Sequence, residues 1–149
     1  MTFDCVSSSL DIFQLISIRF SLSHLTEIHL NIISPKNENL SSNFLNSLID
    51  FLQEFPNLET FSNINRELDA EIVCLLAPYR IKHLYTKINR TKDIKIILQR
   101  RFNTLSTLHF QTNIISKNYF RKIRKWLFNK QISFASSADF YSIHLWFQY

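Results

Sequence analysis

The sequence predicts an α/β chain: a short array of β/α units with a mainly parallel sheet on one face and helices on the other. Three observations point there. A strand phrase with apolar residues at its first, fourth and sixth places occurs twice, as Leu105-Ser106-Thr107-Leu108-His109-Phe110 and as Leu25-Thr26-Glu27-Ile28-His29-Leu30. Weaker copies are Leu58-Glu59-Thr60-Phe61, running on to Ile64, and Ile81-Lys82-His83-Leu84, running on to Ile88. Helical spacing fills the intervals, and the copies start 33, 23 and 24 residues apart. Intervals in the twenties fit one strand and one helix per unit. Such a unit cannot bury its own apolar face, so stacked units share one core.

Each element follows from its local pattern. Residues 7–15 read as a short helix or turn, and Ile16-Ser17-Ile18-Arg19-Phe20 alternates with period two, as a half-buried strand does. Residues 1–24 thus form an atypical first unit, as array ends usually do. Leu25 to Ile33 is the first clear strand, ended by the Pro35 loop. Phe44, Leu45, Leu48, Ile49, Leu52 and Phe55 recur at three and four residues, an amphipathic helix capped by Ser41 or Ser42. Pro56 drives Phe55 out of helical geometry, and the strand Leu58 to Ile64 follows.

Asn65 is the expected cap of a helix whose buried stripe is Leu68, Ile72, Leu75 and Leu76, stopped by Pro78. Ile81 to Ile88 is a strand. Thr91 caps a helix with Ile94, Ile97, Leu98 and Phe102 on one face, and Leu105 to Ile114 is the next strand. Ser116 or Asn118 caps a helix carrying Tyr119, Phe120, Ile123, Trp126 and Leu127. Ile132-Ser133-Phe134 and Ile143-His144-Leu145-Trp146-Phe147 close the chain as two strands. The whole reads as one domain over 1–149, with a cap at 1–24, repeats over 25–114 and closing elements over 115–149.

Composition narrows the chemistry. Apolar residues are 46% and charged residues 19%, the balance of a globular chain. Glycine is absent. That excludes Gly-rich phosphate loops, dinucleotide fingerprints and nucleophile elbows, which need Gly for close approach or positive φ. Asn and Asp are left to make the turns. Cys5 and Cys74 are far apart and unpatterned, so neither a disulfide framework nor a zinc site is expected. No signal peptide and no apolar run of membrane-helix length is read, and an intracellular location, cytoplasmic or nuclear, is expected.

Charge is divided. Residues 1–79 hold three bases against ten acids, a formal −7, and residues 80–149 hold fourteen bases against two acids, a formal +12. Either the two ends complement each other within the array or in a dimer, or the basic half has an electrostatic partner.

The phrases Leu25-x-x-Ile28-x-Leu30-Asn31 and Leu105-x-x-Leu108-x-Phe110 resemble leucine-rich repeats. Three further stretches, Leu108-His109-Phe110, Ile123-Arg124-Lys125-Trp126-Leu127 and Ser133-Phe134-Ala135-Ser136, resemble the nematode F-box-associated domains of the FTH type. That resemblance implies a non-enzymatic protein-interaction module, the substrate-recognition part of a ubiquitin-ligase adaptor lineage. The 24 residues ahead of the first clear strand leave no room for an F-box itself.

Two surfaces are candidates for function. Residues flanking the apolar fourth place point out of the sheet's open face. Glu27, His29, His83, Tyr85, Thr107, His109 and Gln111 are therefore the expected partner-binding set, with a protein as the expected partner. The plain alternative is a solvated sheet face. The second surface is basic: Arg90, Lys92, Lys95, Arg100 and Arg101 on one helix, and Lys117, Arg121, Lys122, Arg124 and Lys125 on the next. It would bind nucleic acid or an anionic surface without sequence readout. Its plain alternative is a solvated helix surface. No metal, cofactor or small-molecule site is read, and no spacing of Ser, His and acid singles out a catalytic triad, so the chain is not expected to be an enzyme.

Overall fold

The computed structural model describes residues 2–6, 24–33, 41–88, 90–101, 103–112, 117–139 and 141–148. The expected first-unit elements at 7–15 and 16–20, the Pro35 loop and the Ser116 cap lie outside the described residues. In chain order the elements are β1 (Thr2–Val6), β2 (Glu27–Ile33), α1 (Ser42–Gln53), β3 (Thr60–Glu67), α2 (Ala70–Leu76), β4 (His83–Lys87), α3 (Thr91–Arg101), β5 (Thr107–Gln111), α4 (Lys117–Asn129), β6 (Phe134–Ala138) and β7 (Ser142–Phe147). The strands form one seven-stranded sheet in the order β1-β2-β3-β4-β5-β7-β6. The first five pair in parallel, and β7 runs antiparallel to both β5 and β6. The α/β class, the mainly parallel sheet and the side-by-side stacking of the four strand phrases are as the sequence predicts.

The phrase works as a register. Its second residue repeats one hydrogen-bond device. The Thr26 carbonyl accepts from the amides of Glu59 and Thr60 (both 2.9 Å), Glu59 from Lys82 (2.8 Å) and His83 (3.0 Å), and Lys82 from Ser106 (2.8 Å) and Thr107 (3.0 Å). The first place is apolar and buried at Leu58, Ile81 and Leu105, and the fourth at Ile28, Phe61, Leu84 and Leu108. At the sixth place the two middle units depart: Asn63 and Thr86 stand, fully buried, where Leu30 and Phe110 stand in the outer ones. Asn63 and Thr86 pair directly across β3 and β4. Ile64, the apolar residue taken to complete that phrase, is 40% exposed, while Ile88 is buried.

The buried side of the sheet faces the helices. Phe44, Leu48, Phe51 and Leu52 of α1, Val73 and Leu76 of α2, Ile94, Ile97 and Leu98 of α3, and Ile123 and Leu127 of α4 join the strand residues in one core. Each such side chain contributes about 1.5–3 kcal/mol when taken from water, which is why the apolar stripes dictate the layer. The Ser41 hydroxyl accepts from the Phe44 amide at 3.2 Å and so caps α1.

Two expectations around α2 change. Asn65 is not a cap: β3 continues to Glu67, and the residue before α2 is Asp69, whose side chain makes no capping bond. Leu75 is 57% exposed, because a seven-residue helix packs a narrow stripe and Val73 and Leu76 fill it.

The turn after α4 carries the backbone's special geometry. The Ile132 amide donates to the Leu127 carbonyl (3.2 Å) and the Gln131 amide to the Phe128 carbonyl (2.9 Å). This is a Schellman cap, and Gln131 holds its left-handed position at φ 57°. A chain without glycine thus places Gln there, not the Asn or Asp that turn chemistry favours.

Candidate functional site on the sheet face away from the helices

Period-two alternation sends every second strand residue to the other face of the sheet. Register places them in rows. One row runs Glu27, Thr60, His83, Thr107, Trp146 and Ala135. The next runs His29, Ser62, Tyr85, His109, His144 and Ser137. A third holds Lys87, Gln111 and Ser142. Neighbouring strands lie about 4.8 Å apart, so adjacent side chains in a row touch.

All seven residues of the expected sheet-face set lie on this side. Glu27 and His29 meet at 3.0 Å, both well exposed. His83 Nδ1 lies 2.8 Å from Thr107 Oγ1. Tyr85 meets His109 edge to face at 5.5 Å. Gln111 stands exposed at the strand end. His29 is separated from the His109 row-mates by Ser62 and Tyr85, and among the described residues no cluster of three metal-ligating side chains forms.

β7 brings what the sequence reading missed. His144 lies directly opposite His109, and their rings stack at 3.9 Å with 26° between planes. Trp146 continues the stack at 5.8 Å and 15°. The four rings of Tyr85, His109, His144 and Trp146 make one continuous strip. Trp146 is 42% exposed, and its cross-strand neighbour is Ala135, as Ser137 is that of His144. Small side chains on β6 therefore leave a step beside two aromatic rings. The signal was present as Ser142-x-His144-x-Trp146, alternating like Thr107-x-His109-x-Gln111. What one strand's alternation does not tell is which neighbour it joins.

A hydrogen-bonded string anchors the strip. Asp139 Oδ1 accepts from the amides of Tyr141 and Ser142, both at 2.7 Å, and Oδ2 accepts from the Ser142 hydroxyl at 2.6 Å. Ser142 Oγ lies 3.2 Å from His144 Nε2. The Ser142 hydroxyl, with the two amides and nearby His144, holds the Asp139 carboxyl below its ordinary pKa. Burial and the adjacent His144 push His109 below the ordinary histidine value, with Asp139 pulling weakly the other way. His109 Nε2 is buried with no hydrogen-bond partner among the described residues. The string runs Asp, Ser, His, so the serine sits between acid and imidazole. A nucleophilic triad needs the imidazole between acid and serine.

The basic set is split by the fold. Arg90 pairs with Asp69 and, at 2.6 Å, with Asp93. Arg100 meets Glu71 at 2.5 Å. Arg101 is buried, donates to the Cys74 carbonyl at 2.5 Å and lies over the Tyr79 ring at 4.3 Å. These residues join neighbouring units, so part of the charge division is spent within the array. Lys92 is exposed and Lys95 half-buried on α3. On α4, which Lys117 opens, Arg121, Lys122, Arg124 and Lys125 are exposed. Arg121, Arg124 and Lys125 border a shallow groove of about 490 Å³ walled by Phe120, Phe128 and Phe134. This groove lies on the helix side, away from the ring strip.

No family model matches the chain, and no curated protein matches it. Among solved structures it is similar to M. capricolum TrmK in complex with the natural cofactor product S-adenosyl-homocysteine, at 15% identity and a TM-score of 0.32. The match covers 97% of this chain and spans 60% of that one. At that TM-score the likeness carries no argument about this chain. The comparisons nonetheless correct the family reading. Neither leucine-rich repeats nor F-box-associated domains are matched. The ubiquitin-ligase adaptor role, the protein-interaction module and its alternative through the basic half, and the expectation of a non-enzyme are set aside. Among the described residues no helix is long and apolar enough to cross a membrane.

Proposed function

We propose that the sheet face away from the helices is a stacking surface for unpaired nucleobases of a single-stranded nucleic acid. The observation that carries this is the continuous strip Tyr85, His109, His144 and Trp146, with ring centroids 5.5, 3.9 and 5.8 Å apart. Within the strip the faces of His109, His144 and Trp146 are turned to one another, so a base extends the stack at its exposed Trp146 end, where the step over Ala135 and Ser137 gives it room. Each base stacked on an aromatic side chain contributes about 1–3 kcal/mol. Neighbouring polar groups supply hydrogen bonds to base edges: Gln111 and the His83–Thr107 pair. Among the described residues of the three rows the lysine is Lys87. Stacking thus leads and phosphate attraction follows, so the affinity depends only shallowly on salt.

The test is a fluorescence titration with a Trp126→Phe protein, which leaves Trp146 as the reporter. A single-stranded decamer is expected to quench Trp146, whereas the matching duplex is not. Trp146→Ala and Tyr85→Ala should each weaken binding measured by anisotropy about tenfold, the loss of one stacked base. Binding that survives both substitutions but disappears on charge reversal of Arg121 and Arg124 would overturn the assignment of the site.

A further inference from the structure

The stacked histidines have a property that goes beyond the stacking surface. Ser142 has one hydroxyl hydrogen, and it is committed to Asp139 Oδ2 at 2.6 Å. At the 3.2 Å contact with His144, the serine oxygen must therefore accept and His144 Nε2 must donate. His144 is fixed as the Nε2–H tautomer, and its Nδ1 is left to take an incoming proton. The resulting imidazolium is backed through Ser142 by the Asp139 carboxylate, itself held by two amides. His109 has no such support: its Nε2 is buried and unpartnered. With ring centroids 3.9 Å apart, one protonated ring disfavours protonation of the other. The other groups around the pair are Tyr85, His83 and Lys87 on β4, Thr107 and Gln111 on β5, Trp146 on β7 and Ser137 on β6. The carboxylates near these groups are Asp139, which acts on His109 directly, and Glu67, the register partner of Lys87 on β3.

We propose that the His109–His144 pair is a one-proton switch that places a single positive charge in the ring strip on mild acidification and so strengthens its hold on an anionic ligand. The ligand half of this inference rests on the stacking surface being the binding site; the proton half does not. When charged, His144 lies against Trp146 at 5.8 Å, where a cation gains from the indole face, and adds attraction for phosphate to a face otherwise poor in cations.

Two measurements on the full chain separate the parts. The first is NMR titration of the histidine Cε1–H signals without ligand. Between pH 8 and 5 the stacked pair should take up one proton and not two, and in His144→Gln, which leaves the burial of His109 but removes the neighbouring charge, the His109 midpoint should move up from its wild-type position. Independent titration of both rings, unchanged by His144→Gln, overturns the switch. The second is affinity for a ten-residue oligothymidylate at pH 7.5 and 5.5. A gain of roughly two- to fivefold is expected at the lower pH, the scale of one partly exposed charge, and His144→Gln should abolish it. Equal affinity at both pH values overturns the regulation even if one proton is shared. Absence of binding at either pH counts against the stacking surface instead, and the titration then decides the proton switch alone.

Discussion

Gln131 shows how a single backbone position records the absence of glycine. It occupies the left-handed place of the Schellman cap that ends α4. For a residue with a Cβ that conformation costs roughly 1–2 kcal/mol, and glycine returns part of the difference through its freer unfolded chain. Gln131→Gly should therefore raise the unfolding free energy by about 1 kcal/mol in urea denaturation. An unchanged or lower midpoint would show that the Gln131 side chain contributes as much as its backbone costs. The same scale explains where sequence reading ran out. The first and fourth places of the strand phrase were legible because Leu58, Phe61, Ile81 and Leu84 are apolar and buried. The sixth was not, because Asn63 and Thr86 occupy core positions while the neighbouring Ile64 sits exposed. Hydropathy then favours the wrong residue by one place. That His83, Tyr85 and His109 share one face of the sheet was legible from alternation alone. His144 and Trp146 were not, since their place beside His109 depends on an antiparallel pairing that reverses the direction of the array.

At the scale of elements, arginines join one unit to the helix before it. Arg80 donates to the Leu52 carbonyl (2.9 Å) and the Gln53 carbonyl (3.3 Å) at the end of α1. Arg101, at the end of α3, donates to the Cys74 carbonyl in α2. Helix C-terminal carbonyls lack partners within their own helix and carry partial negative charge, so a guanidinium there satisfies both hydrogen bonding and dipole. Burial decides how much each contact is worth. Arg101→Ala should cost about 2–3 kcal/mol, since it removes a buried side chain, leaves the part-buried Cys74 carbonyl without its donor and takes the guanidinium from over Tyr79. Arg100→Ala removes only the half-exposed pair with Glu71 and should cost less than about 1 kcal/mol. Equal losses for the two in parallel denaturation curves would sink this ranking. It is also why the basic composition of residues 80–149 misled as a functional signal. Three of the bases in the α3 set bind the preceding, acidic part of the same chain, a use that net charge cannot distinguish from attraction to a partner.

For the whole molecule the decisive feature is strand order. From β1 to β5 each strand joins the one before it in sequence, so each unit contacts chiefly its neighbours and stability is nearly a sum along one axis. The ends differ. β6 is an outer strand whose inward positions are Phe134 and Ser136, only half-buried, with Ala138 exposed. β4 and β5 lie between partners on both sides, and their buried positions are Leu84, Thr86, Leu108 and Phe110, each at most 1% exposed. Amide exchange follows the free energy of local opening. The amides of β4 and β5 should therefore exchange slowest, near the global unfolding limit, and protection should fall through β7 to β6 as a graded series. The Asp139–Ser142–His144 string belongs to the turn and to β7, so it should stay protected when β6 opens. Mass-spectrometric exchange at pH 7 resolves these peptides. If β6 and β4 exchanged together at one rate, the sheet would open as one cooperative unit and the one-dimensional account of its stability would be wrong. A graded profile would instead place the ring strip on the stable side of the gradient, where Tyr85 and His109 are held by the most protected strands and only the step over Ala135 and Ser137 opens easily.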